Sequence, residues 1–101
     1  MTMNIKAVTT CFGYQQIATV SSSIGLTVPV IAPDGLNAKP VFALIIAEGQ
    51  PVRWRDDKTS PTASIGMPLA IGVPLQYDGD LTNIKFIEQV AGATLNISYY
   101  L

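Results

Sequence analysis

No histidine occurs in the chain. That removes Ser/His/Asp and Cys/His nucleophile–base pairs, and with them the usual imidazole-bearing zinc sites. There is one cysteine, Cys11. No intrachain disulfide can form, which excludes a disulfide-stapled secreted mini-protein. Without a basic partner in the sequence, Cys11 is expected to be a buried structural thiol. Charge is scarce as well: Lys, Arg, Asp and Glu make up 13% of the 101 residues, against roughly 25% in an average soluble domain. Six basic and seven acidic residues leave a net charge of −1. No Lys/Arg cluster exists to neutralise a phosphate backbone, so nucleic acid is not an expected partner. The longest apolar run, "VFALIIA" at 41–47, falls far short of the roughly 20 residues of a membrane-spanning helix. The N-terminal "MTMNIKAVTT" lacks the apolar core of a signal peptide. The expectation is synthesis in a cytoplasm, with neither a membrane partner nor a recognisable export route.

The length argues for a single domain spanning 1–101. A chain of this size buries roughly 65% of the surface its unfolded form exposes, enough for one modest core. Apolar residues reach 49%. A small domain this apolar and this poor in charge is expected to cover part of its surface against neighbours, which points to a homo-oligomer or a larger assembly.

Glycine (8) and proline (7) are spread along the chain and break every helical pattern. The segments between them read as strands, rich in β-branched and aromatic residues. In the N-terminal 40 residues the expected strands are 5–12, 14–20 and a short one near 26–31, with a type I turn at "APDG". "PVFALIIAEG" (40–49) is apolar on both faces and reads as a central, fully buried strand. "QPVRWRDD" (50–57) puts Val52 and Trp54 on one face and Arg53 and Arg55 on the other. Segments 41–47 and 51–56 are expected to form a hairpin across "EGQ". The 61–75 stretch is apolar but cut by Gly66, Pro68, Gly72 and Pro74, which confines it to an arm or an edge. The last two strands are 83–90 and 93–101, joined by a short hairpin turn at "AGA"; Leu95, Ile97, Tyr99 and Leu101 face inward. The fold class expected is all-β, a small antiparallel sandwich or barrel.

Few residues suggest chemistry. Asp78 and Asp80 in "DGDLTN" are spaced like the opening of a calcium loop, but no acidic residue follows at the closing position. A polar turn with Gly79 at positive φ is the simpler reading. Acid–base work by these aspartates, or by Asp56 and Asp57, ranks far behind. "NIS" at 96–98 matches a glycosylation pattern but falls inside an expected strand. The stretch "PVRWRDDKTSPTASIGMPL" (51–69) concentrates polar and aromatic residues in a charge-poor chain. Alternation assigns Trp54 to the core and leaves the arginines to pair with Asp56, Asp57, Asp78 or Asp80, either within the chain or across an interface. Exposed pairs of this kind are worth about 0–1 kcal/mol.

Three segments occur in order: "ALIIAEGQPVRWRDD", "PTASIGMPL" and "LQYDGDLTNIKFIEQVAGATLNISYY". Together they resemble a group of small proteins encoded among the virion genes of tailed bacteriophages. In that group an "RWRDD.T.PT...GMPL" segment precedes a closing "I.FI....GA.LN.SYY" strand pair. The resemblance covers the last three-fifths of the chain. It implies a virion structural protein, foremost a capsid decoration protein that binds the shell as an oligomer, with no catalytic motif and no cofactor. The implied partners are the major capsid protein or other virion proteins. The implied location is the virion, after synthesis in the host cytoplasm. Interface candidates are Arg53, Arg55, Asp56, Asp57, Met67, Leu69, Tyr77 and Tyr100. The alternative is a tail- or fibre-associated module that stacks host glycan on Trp54, Tyr14, Tyr77, Tyr99 and Tyr100.

Overall fold

Burial alternates strictly along the strand Thr94–Tyr100. Over Thr94–Tyr100, Leu95, Ile97 and Tyr99 are buried, while Thr94, Asn96, Ser98 and Tyr100 are only half-buried. A period of two is what one core-facing surface of a sheet imposes. The computed structural model describes residues 11–29 and 40–100, and these form eight strands and no helix. In chain order they are β1 (Cys11–Ile17), β2 (Ile24–Gly25), β3 (Phe42–Glu48), β4 (Val52–Arg55), β5 (Met67–Leu69), β6 (Leu75–Tyr77), β7 (Lys85–Glu88) and β8 (Thr94–Tyr100).

The strands make two four-stranded antiparallel sheets, ordered β1-β8-β3-β6 and β2-β7-β4-β5. The all-β expectation therefore holds. One core lies between the sheets. Its largest fully buried side chains include Tyr99, Phe86, Ile45, Ile84, Leu95 and Ile97.

The connectivity corrects both expected hairpins. β3 pairs with β8 and β6, whereas β4 pairs with β7 and β5. The "EGQ" turn thus carries the chain from one sheet to the other, and the turn between β7 and β8 does the same. A short connection gives a hairpin only if its strands hydrogen-bond to each other. Here each strand finds its partners elsewhere and the turn spans the core instead. The two crossings lie side by side, and a Cβ on Gly49 (φ 83°) would meet the Gly92 carbonyl oxygen at 2.5 Å. The hairpin partner of β4 is β5, reached through the 56–66 loop.

β3 is central in its sheet, as its apolar run suggests, but it is not buried on both faces. Ala43, Ile45 and Ala47 are buried, while Phe42, Leu44 and Ile46 point away from the core and are half-buried. A two-layer sandwich has only one interior, so one face of every strand must look outward.

Of the expected 5–12 strand, residues 11–12 belong to β1; the rest lies outside the described residues, as do the "APDG" turn and Leu101. β1 runs through Gly13, where its register against β8 shifts. Cys11, expected to be buried, is exposed, because it begins an edge strand at that irregularity. Gly79 does not have positive φ. Its missing side chain instead admits the Tyr77 hydroxyl, which a Cβ would strike.

Candidate interaction surfaces

β4 organises the stretch that stood out in the sequence. Val52 is fully buried and Trp54 packs against the core, its ring T-shaped to Tyr77 at 6.0 Å. Arg53 and Arg55 face outward on the second sheet, opposite Ile87 and Lys85 of β7. Arg53 is spent within the chain. Its Nε donates to the Ala63 carbonyl at 3.1 Å and its Nη1 to the Gly66 carbonyl at 2.8 Å. The guanidinium fork thereby pins the 61–66 loop to β4. Within that loop the Thr62 hydroxyl accepts from the amides of Ser64 and Ile65.

Arg55 and Asp57 form a two-pronged ion pair, Nε to Oδ1 at 3.0 Å and Nη2 to Oδ2 at 2.5 Å. The bond from Arg55 holds the Asp57 carboxyl below its usual range, and the carboxylate raises the Arg55 pKa in return. Both groups remain in contact with water, so screening keeps the pair weak.

Asp56 does a different job. Its Oδ2 accepts from the Tyr77 hydroxyl at 2.7 Å, and its carbonyl accepts from Asn83 Nδ2 at 2.6 Å. Burial, and then the Asp56 carboxylate, push the Tyr77 pKa upward. Asp80 folds onto its own turn, its Oδ1 accepting from the Thr82 amide at 3.0 Å and hydroxyl at 2.6 Å. Those two bonds lower the Asp80 pKa. Among the described residues, no group of three or more His, Cys, Asp or Glu side chains could hold a metal ion.

The interface candidates therefore separate. Leu69 and Tyr77 are buried in the core and leave the surface set. Arg55, Asp56, Asp57 and Met67 come together with Ile65 and Gly66 around an open depression of about 330 Å³. Tyr100 lies on the far side of the molecule, on the outer face of the first sheet, its ring 5.7 Å from Phe42. The aromatics invoked for sugar stacking do not converge. Tyr77 and Tyr99 are core, Trp54 is at its margin, and Tyr14 and Tyr100 are on the outer face of the first sheet.

Two apolar surfaces extend beyond the sequence candidates. The first is the arm that crosses from the edge of one sheet to the edge of the other, where Ile65, Met67, Ile71 and Val73 are each at least half exposed. It is held by β5 pairing to β4 and by the Gly72 amide donating to the Ala47 carbonyl at 2.9 Å. The second is the outward side of β3. Its signal was present as apolar residues of both parities in "FALIIAE", a pattern that belongs to strands covered on both faces.

No family model, no curated protein and no solved structure matches the chain.

Proposed function

We propose that the chain is a structural protein of the tailed-bacteriophage particle, a decoration protein that binds the capsid shell as an oligomer. The exposed apolar arm carries this reading. Ile65, Met67, Ile71 and Val73 stand out in water on a segment that is tied down at both ends. Contiguous exposed apolar surface of this kind marks protein–protein contact. Pro68 and Pro74 have no amide hydrogen to donate, so this edge resists open-ended strand addition. Contact through it would run by side chains, with Arg55 and Met67 as anchors beside the depression. Repetition over a shell multiplies weak contacts into firm attachment. The resemblance of its motif order to that of phage virion proteins suggests the setting.

The test is co-sedimentation of the purified protein with isolated phage heads that lack it, at rising protein concentration. Saturable binding at hundreds of copies per head is expected. An absence of binding to heads, with only a few copies in whole particles, would move the protein to the neck or tail.

A further inference from the structure

The two outer faces of the sandwich differ in charge. The second sheet turns Arg53, Arg55 and Lys85 outward. The strands of the first sheet carry a single charged residue, Glu48, at the end of β3. A sheet face left to water normally alternates towards polar side chains. This one instead runs Phe42, Leu44 and Ile46 down β3, one of its two central strands, with Tyr100 beside Phe42 and Tyr14 exposed on the edge strand. Gln76 and Ser98 flank Leu44, and four of the other polar groups around that stripe are already joined to one another. Asn96 Oδ1 accepts from the Tyr14 hydroxyl and from Gln16 Nε2, and Asn96 Nδ2 donates to Glu48 Oε1 at 2.7 Å. A network satisfied in this way loses less on dehydration than the same groups bonded to water.

We propose that the outer face of the first sheet is a homodimer interface, on which a second copy of the chain packs sheet to sheet through Leu44 and Ile46. The inference rests on the oligomeric part of the proposed function and names the face responsible. The face is self-complementary. Glu48 and Thr94 are neighbours at one end, and Phe42 and Tyr100 at the other. A two-fold axis across the strands at their midpoint lays β3 on β3 in opposite directions. Each Glu48 then sits over the partner's aromatic end, where the hydroxyl of Tyr100 can donate to it. Between those ends Leu44 of each copy meets Ile46 of the other.

The area sets the strength. At ordinary strand rise and spacing, three seven-residue strands and the three-residue β6 give the face roughly 390 Å², or roughly 800 Å² of plan area over two copies. Side-chain relief adds to that, and stable interfaces start at about 1,200 Å² of accessible surface. The dimer is therefore weak and concentration-dependent, a form that a repeating shell would consolidate.

Sedimentation velocity on the full chain, without shells, from about 1 to about 500 µM covers that range. The wild type is expected to pass from monomer to dimer. Ile46→Lys and Leu44→Glu are expected to stay monomeric with unchanged circular dichroism, and Ile71→Glu, on the arm, to dimerise as the wild type does. Tyr100→Phe removes only a hydroxyl and is expected to raise the midpoint severalfold, which keeps the test open if the charged variants misfold. A wild type that is monomeric throughout overturns the proposal. So does a dimer indifferent to Ile46→Lys and Leu44→Glu, or to Tyr100→Phe. Shell binding by a monomer that Ile46→Lys abolishes would identify the shell as the occupant and overturn the second copy. A dimer that ignores shells would count against the decoration reading alone.

Discussion

The hydroxyl of Tyr77, in the first sheet, donates to Asp56 Oδ2 at 2.7 Å, just past the end of β4 in the second. One phenol thus ties the two layers together while its ring fills the core and meets Trp54 edge-on. Tyr77→Phe keeps the ring and removes the bond. A hydrogen bond to a charged acceptor contributes about 1.5–3 kcal/mol, so the urea midpoint at neutral pH is expected to fall by that equivalent. An unchanged midpoint would mean that water replaces the bond without loss.

Tyr77 and Tyr99 set an alkaline limit. Burial, and then Asp56, hold the Tyr77 proton above the ordinary phenol value of 10.0, and burial pushes Tyr99 up to about 12. Above the ordinary value the folded chain keeps protons that the unfolded chain has released. Stability from these groups is therefore whole below pH 10.0 and falls as pH rises; the share from Tyr99 is gone beyond about 12. Urea titrations on either side of the ordinary phenol value are expected to show this decline, with a shallower slope in Tyr77→Phe. A flat profile in the wild type would contradict it.

Gly49→Ala tests the paired crossings. The substitution places a Cβ 2.5 Å from the Gly92 carbonyl oxygen at a backbone φ of 83°. Both strain and collision oppose it, and neither neighbour is a flexible side-chain tip. A loss of at least about 1–3 kcal/mol is expected in chemical denaturation. Gly72→Ala has positive φ but open space around it, so it should cost less, and the difference between the two isolates the collision.

Arg53 predicts a local effect. Its two bonds to the carbonyls of Ala63 and Gly66 hold the 61–66 loop. Arg53→Lys keeps the charge but cannot make both bonds from one fork. Lysine is therefore expected to behave like alanine: faster proteolytic nicking within 61–66 and faster amide exchange at Thr62 and Ile65. A lysine variant protected as well as the wild type would show that charge alone holds the loop.

What the sequence revealed was periodicity, and what it hid was pairing. Leu95, Ile97 and Tyr99, like Val52 and Trp54, announce their inward face because side-chain alternation is local. Which strands hydrogen-bond is not local. "EGQ" and "AGA" are short enough for hairpins, and only the partners of β3 and β8 decide that they are crossings between layers. The candidate surface was half legible for the same reason. Arg55, Asp57 and Met67 remain outside, but Leu69 and Tyr77 were on the inward parity of strands too short to show a period. Cys11 misled because its apolar character suits a core while its position is at the irregular start of an edge strand.

The arm offers the sharpest separation of stability from binding. Met67 and Ile71 are more than half exposed, 56% and 51%, so glutamate at either position buries no charge within the chain. Substitutions of that type usually change stability by no more than about 0.5 kcal/mol. In the proposed shell contact the same side chains are desolvated, and an unpaired carboxylate there is costly. The double variant Met67→Glu, Ile71→Glu is therefore expected to keep its urea midpoint and to lose at least about tenfold in affinity for heads, which corresponds to about 1.4 kcal/mol. Because repetition amplifies a weak contact, the loss should be steeper on intact shells than on isolated capsid subunits. Full head binding by a folded double variant would remove the arm from the contact.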